Sequence, residues 1–268
     1  MFRQGSYANG FAPRDGQPAY PSLWNGCVGA WAQCLGPTGL VLRDWSGRQN
    51  HGTFTNMTGS DWQLISGTFS TAQTGTKTIV VSASDVAALN LINFGTWTIA
   101  ATVRTPSTFS GFPVIYSYGR WRASLGVQAA SGKVSHWRNN TTEYVGASVL
   151  AANTTYHLAV TGNASAVEFF VNGKSDGTST GLSAITSGAG SSIGNVALND
   201  GPWGGNVFEV RIYNRILNGA EIALLASRRG IAYDMIQPIW YSPEQAAGFN
   251  AAWALRQRVL IGSGGGLG

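Results

Sequence analysis

Four short segments in which apolar side chains recur at every second residue set the tightest limit on how this chain can fold. Trp97, Ile99, Ala101 and Val103 line up on one side of such a segment, with Thr98 and Thr102 opposite. Tyr156, Leu158 and Val160 repeat the pattern, followed by Val167, Phe169 and Val171 and then by Phe208, Val210 and Ile212. A period of two belongs to strands with one buried face. Asn172-Gly173 adds the residues that a tight type I′ hairpin needs. The 36 glycines place turns between the segments. The expectation is an all-β fold, a two-sheet antiparallel jelly-roll sandwich. Glu209 and Arg211 fall on the face opposite Val210, where an exposed or half-buried ion pair of modest worth is expected.

The pattern divides the chain in three. Residues 1–37 read as an N-terminal arm rich in Gly, Pro and aromatics, 38–227 as the jelly roll, and 228–268 as a C-terminal arm. After the last alternating segment, Asn218 is placed to cap a short helix with Glu221 at the reciprocal position, and Ile222, Leu225 and Ala226 form its apolar side. In the C-terminal arm, Ser242-Pro243-Glu244-Gln245 predicts a second helix near 243–258, with Phe249 and Trp253 four apart on one side.

A net charge of +5 looks basic, but residues 38–227 hold eleven Lys/Arg against nine Asp/Glu in no stripe. That spread marks neither a nucleic-acid groove nor a membrane patch. Met1 to Ser6 lack the apolar run of a secretory signal, so the chain reads as made in the cytoplasm. Cys27 and Cys34, the only cysteines, leave open one local bridge or two free thiols.

Motifs of catalysis fail their context tests. Gly190-Ser191-Ser192-Ile193-Gly194 satisfies G-x-S-x-G, but lies between a Gly/Ser turn and a short strand rather than between strand and helix. Gly173-Lys174-Ser175 copies the end of a phosphate loop inside a hairpin, with Glu168 where the first glycine belongs. No E-x-D-x-E run offers the paired carboxylates of a sugar hydrolase. His51 is expected to brace the turn from Asp44 to Gly52, and His157 to lie on the outer face of its strand. The spacing of His51, His136 and His157 suggests no metal site. Most of the 10 tryptophans are expected to be core anchors. Trp121, Trp137 and Trp203 fall near turns, where an exposed ring beside polar groups can stack on a sugar or on a neighbouring subunit.

Several of these stretches together resemble the laminin-G-like branch of the concanavalin A-like jelly rolls. The resemblance is carried by Asp44-Trp45-Ser46-Gly47 with His51-Gly52, by Ser84 to Leu91, by Tyr156-His157 with Val171-Asn172-Gly173-Lys174, and by Glu209 to Arg215. It spans roughly residues 38–226 and implies the same two-sheet fold. Phe208 stands where members of the branch often carry an Asp, so the resemblance implies no calcium site. Leu23 to Gly39 and Arg228 to Tyr233 resemble the flanks of tailed-bacteriophage virion proteins.

The reading that follows is a non-enzymatic structural protein of a phage particle, without cofactor. Its jelly roll would face outward and its arms would attach to capsid or tail proteins, as a homo-oligomer guessed to be a trimer, with host-surface glycans as a further ligand. The alternatives are a lectin-like carbohydrate-binding module outside any virion, or a glycoside hydrolase or lyase.

Overall fold

In the computed structural model, which describes residues 18–81, 95–119, 121–186, 190–196 and 201–235, the alternating segments become strands of two facing sheets. The N-terminal part carries β1 (Cys27–Trp31), β2 (Val41–Leu42), β3 (Gly52–Thr55), β4 (Trp62–Ile65), β5 (Thr68–Ala72) and β6 (Thr78–Val81). The middle carries β7 (Thr96–Arg104), β8 (Val114–Tyr118), β9 (Ala123–Gln128), β10 (Lys133–Arg138) and β11 (Thr142–Val149). Then come β12 (Thr155–Asn163), β13 (Ala166–Val171), β14 (Lys174–Thr180), β15 (Ser191–Ile193), β16 (Asn206–Tyr213) and one helix, α1 (Gly219–Ser227). The first sheet runs β14-β13-β12-β7-β16-β5-β4, with β1 also paired to β16; the second runs β11-β10-β9-β8-β15-β6-β3-β2. Every strand pairing is antiparallel. This is the expected jelly-roll sandwich.

The core between the sheets follows the alternation. Trp97, Ile99, Ala101 and Val103 of β7 meet Leu125 and Val127 of β9 and Val134 of β10 there, all essentially inaccessible to water. Asn172 and Gly173 both take positive φ, 49° and 80°, and turn β13 into β14. Gly173 has a second reason to be glycine, since a Cβ would come within 2.8 Å of Ala223 Cα in α1. The helix begins at Asn218 as expected: its side chain accepts from the Glu221 N–H, and Glu221 accepts in return from the Asn218 N–H. Ile222 and Leu225 are its buried residues.

The outer face of the first sheet is covered over β1, β16, β7 and β12. Residues 18–36, within the N-terminal arm, pack on the sandwich. β1 is wholly buried and pairs with β16, from Cys27 opposite Tyr213 to Trp31 opposite Val210. A second apolar layer of Leu23, Trp24, Tyr213, Leu217, Ile222, Leu225 and Ile231 covers that face. The Trp24 indole donates to the Ala232 carbonyl at 2.8 Å, and a bridge joins Pro18 to Met235. Residues 18–36 and 228–235 therefore close on each other and on the sheet. The predicted helix at 243–258 and the segment Ser84 to Leu91 lie outside the described residues.

This cover changes the environment of the closing strand. Glu209 and Arg211 are both buried, not exposed, and do not hydrogen-bond to each other. Glu209 accepts from the Thr102 hydroxyl at 3.0 Å. The Arg211 guanidinium lies 4.6 and 4.5 Å from the ring centroids of Trp24 and Tyr233, which meet edge to face at 5.2 Å and 77°, a cation–π cluster in the second layer. A register shift between Val207 and Glu209 also breaks the expected alternation. Val207 joins Val210 and Ile212 in the main core, whereas Phe208 lies under the guanidinium of Arg229. His157 is on the outer face as expected, yet buried beneath the second layer.

Two motif residues take structural posts. Asp44 is a buried carboxylate that accepts from the backbone N–H groups of Ala30, Ser46 and Asn50 and from the Ser46 hydroxyl. The Asp44 N–H in turn donates to His51 Nδ1 at 3.1 Å, so His51 braces the turn. Cys27 and Cys34 are free thiols, and burial pushes that of Cys27 up to about 12. Ser192 sits in strand β15 with its hydroxyl on the Asn195 carbonyl, far from an elbow.

Candidate functional site: an aromatic notch on the second sheet

Whereas the first sheet is layered on both faces, the second has a small outward cluster of Val114, Trp121 and Val196 with Trp137 against them. Alternation along β10 creates it. Val134 points into the core, and so does His136, whose ring stacks on Trp97 with centroids 5.1 Å apart. Ser135 and Trp137 must then face outward. The Trp137 N–H donates to the Ser124 hydroxyl of β9 at 3.0 Å, which ties the strand there. Burial holds His136 neutral, its pKa pushed down to about 3, with the neighbouring Arg138 adding to the effect.

Trp121 arrives from the turn between β8 and β9. Its φ of 69° is unusual for so bulky a residue. Two contacts hold it: its N–H donates to the Ser117 hydroxyl at 3.1 Å, and its carbonyl accepts from the Asn140 N–H at 2.9 Å. Beneath it Gly201 is required, since a Cβ there would lie 2.4 Å from the Phe112 carbonyl and 2.9 Å from the Trp121 ring. The β10–β11 turn supplies Asn140, with Asn139 and Asn140 both at positive φ. Asn139 spends its amide on the loop of Ser183, Ala184 and Thr186. The Asn140 side chain is exposed and hydrogen-bonds to none of the described residues.

Phe112 completes the group. Its ring is 51% exposed and meets Trp121 at 5.8 Å and 77°, and Trp137 at 5.5 Å and 84°. Trp121 and Trp137 meet at 5.5 Å and 61°. Phe112, Trp121, Trp137 and Asn140 line an open depression of about 190 Å³. Trp121, 6% exposed, is its floor, and the half-exposed Phe112 and the partly buried Trp137 are its walls. Such a notch offers apolar ring surface beside one amide with a donor and an acceptor.

Of the three tryptophans singled out in the sequence, two thus converge. Trp203 does not: it is fully buried in the main core, and its indole donates to the carbonyls of Arg104 and Asn206. It can present no face to a ligand. Phe112 was missed, although an aromatic in Ser110-Gly111-Phe112-Pro113 has no strand to bury it.

No carboxylate lines the depression among the described residues. The acid closest in register is Glu143, opposite Trp137 and held by the Gln128 amide at 2.9 Å. No group of three or more His, Cys, Asp or Glu that could hold a metal ion occurs among the described residues.

Solved structures share this architecture. The Trypanosoma rangeli sialidase in complex with sialic acid superposes with a TM-score of 0.58 at 17% identity, over 78% of this chain and 34% of that one. Domain 4 of AbnA, an extracellular arabinanase of Geobacillus stearothermophilus, in complex with arabinotriose, gives 0.58 at 16% identity over 75% of this chain and 98% of the domain. The binding domain of botulinum neurotoxin DC in complex with SialylT gives 0.55 at 14% identity over 76% and 52%. The chain therefore spans about a third of the length of the sialidase, and likeness at this identity concerns the fold. No curated protein matches the sequence. The family model described as the concanavalin A-like lectin/glucanases superfamily (Laminin_G_3) matches residues 73–223, more than half of the 268. The chain belongs to the concanavalin A-like lectin/glucanases superfamily.

Proposed function

We propose that this chain is a non-enzymatic carbohydrate-binding jelly roll, and that the notch of Phe112, Trp121, Trp137 and Asn140 is where it holds sugar. The observation that carries the reading is the convergence of three aromatic rings and an uncommitted amide on the open face of the second sheet. Sugars have apolar C–H faces for rings and hydroxyls for an amide, and aromatic side chains supply contact area at little entropic cost. Solved structures of the same fold in complex with arabinotriose and with SialylT are consistent with the reading. Hydrolysis by a carboxylate pair would need two acids about 5–9.5 Å apart across the sugar, and the described lining contains none.

The setting we propose is the outside of a tailed-phage particle, with the chain as a homo-oligomer, a trimer being our guess, that adheres to host-surface polysaccharide. This rests on the resemblance of Leu23 to Gly39 and Arg228 to Tyr233 to virion proteins. The arms that would attach to capsid or tail proteins are 1–37 and 228–268, of which residues 18–36 and 228–235 fold onto the jelly roll itself.

A glycan array probed with the full chain and with Trp137→Ala tests the first reading. Selective binding that the variant loses supports it, and equal signal from both proteins removes the notch from it. Mass spectrometry of purified particles tests the setting, which falls if the chain is found only free of them.

A further inference from the structure

We infer that the notch takes one neutral sugar ring at the free end of a glycan, and not a row of rings along a chain; the inference rests on the carbohydrate-binding reading above. Its volume is the first argument. About 190 Å³ is below the roughly 300–1,000 Å³ of pockets that enclose drug-sized ligands. That suits a single ring.

The disposition of the aromatics is the second. A chain lying along a sheet needs rings side by side in one plane, each stacking a successive sugar. Here the three interplanar angles are 77°, 84° and 61°, so the rings enclose a box with a floor and two walls. The floor cannot be deepened, because Gly201 already brings backbone against Trp121 and Phe112. A ring entering such a box does so end-on, with its reducing-end linkage pointing back to solvent.

Charge is the third. The described lining holds no cation, and its one polar side chain is the neutral Asn140 amide. Glu143, across the ladder from Trp137, adds negative charge beside the notch. The half-buried Arg122 is not part of the lining and turns Nη1 to the Asn139 carbonyl at 3.3 Å. Within the described lining no charge meets the sugar, which favours a neutral ring over a carboxylated one.

The test is a titration of the full chain, followed by tryptophan fluorescence, with methyl glycosides of neutral pentoses and hexoses, with N-acetylneuraminic acid, and with di- to tetrasaccharides ending in whichever neutral sugar binds. The expected result is saturable binding of a neutral methyl glycoside, with Kd changing less than about threefold as rings are added behind it, since only the terminal ring gains contacts. Asn140→Gly, which keeps the positive φ, should weaken it about three- to tenfold by removing hydrogen bonds. Affinity that climbs about tenfold with each added ring, or preference for N-acetylneuraminic acid, overturns the inference while leaving carbohydrate binding standing. Absence of binding to every saccharide, on the array as well, overturns both.

Discussion

Trp121 and Trp137 stand 5.5 Å apart at 61°, one from a turn and the other from the strand β10. Their meeting depends on two serines. The Ser117 hydroxyl accepts from the Trp121 backbone N–H and the Ser124 hydroxyl from that of Trp137. The pair is therefore held by backbone, and the rings do not have to order themselves when a ligand arrives. That preorganisation favours binding by a small site.

Removing the walls of the notch should cost affinity without costing the fold. Phe112→Ala and Trp137→Ala, the first half-exposed and the second partly buried at the rim of the notch, are expected to weaken glycan binding at least about tenfold, with the thermal midpoint lowered by only a few degrees. Trp203→Ala is the contrasting variant. It empties a fully buried site and should destabilise by about 3–5 kcal/mol. Calorimetry beside binding titrations separates the two, and binding retained by both wall variants would remove the notch from the account.

Asp44→Asn should destabilise by about 2–3 kcal/mol, although it changes one atom. The carboxylate accepts three backbone N–H groups and a hydroxyl, two on each oxygen. An amide nitrogen can accept none of them. Chemical denaturation measures the loss, and a variant of unchanged stability would mean that the turn is held by other contacts.

Two buried histidines should make the fold acid-sensitive. Burial pushes His136 down to about 3 and His157 to about 4, with Arg138 and Arg211 respectively adding to it. Below the ordinary histidine value of about 6.5 the unfolded chain takes up protons that the folded chain refuses. Their contribution is thus complete above pH 6.5 and is lost as pH falls toward 4 and 3. By pH 4.5 each should have cost about 2–3 kcal/mol. Denaturation midpoints from pH 7 to 4.5 should fall less steeply in His136→Gln with His157→Gln than in the parent; superimposable curves would count against buried, neutral histidines.

Much of the sandwich was legible because β7 and β12, although buried on both faces, keep large apolar residues toward the core and small or polar ones (Thr98, Ala100 and Thr102; His157, Ala159 and Thr161) on the other face, so the period of two survives in the sequence. The hairpin at Asn172-Gly173 and the cap at Asn218 were legible for local reasons, a φ requirement and a reciprocal hydrogen bond. β1 was not, because its five buried residues, Cys27-Val28-Gly29-Ala30-Trp31, include no polar side chain to mark an outer face. The cover over Arg211 was hidden for a related reason, since Trp24 and Tyr233 lie at opposite ends of the described chain. At the site, Trp121, Trp137 and Trp203 share the same turn-like surroundings. What separates them is tertiary: the chain at Gly205 presses so close to the Arg104 carbonyl that a Cβ would lie 2.2 Å from it, and Trp203 turns inward.

The most direct measurement is the set of indole N–H resonances recorded while a glycan selected on the array is added. Trp121 and Trp137 should shift together and saturate, while Trp24, Trp31, Trp97 and Trp203, which are buried in the two cores, stay in place. Saturable shifts confined to other tryptophans, or binding that leaves Trp121 and Trp137 unmoved, would contradict the claim that this notch is where the protein holds sugar.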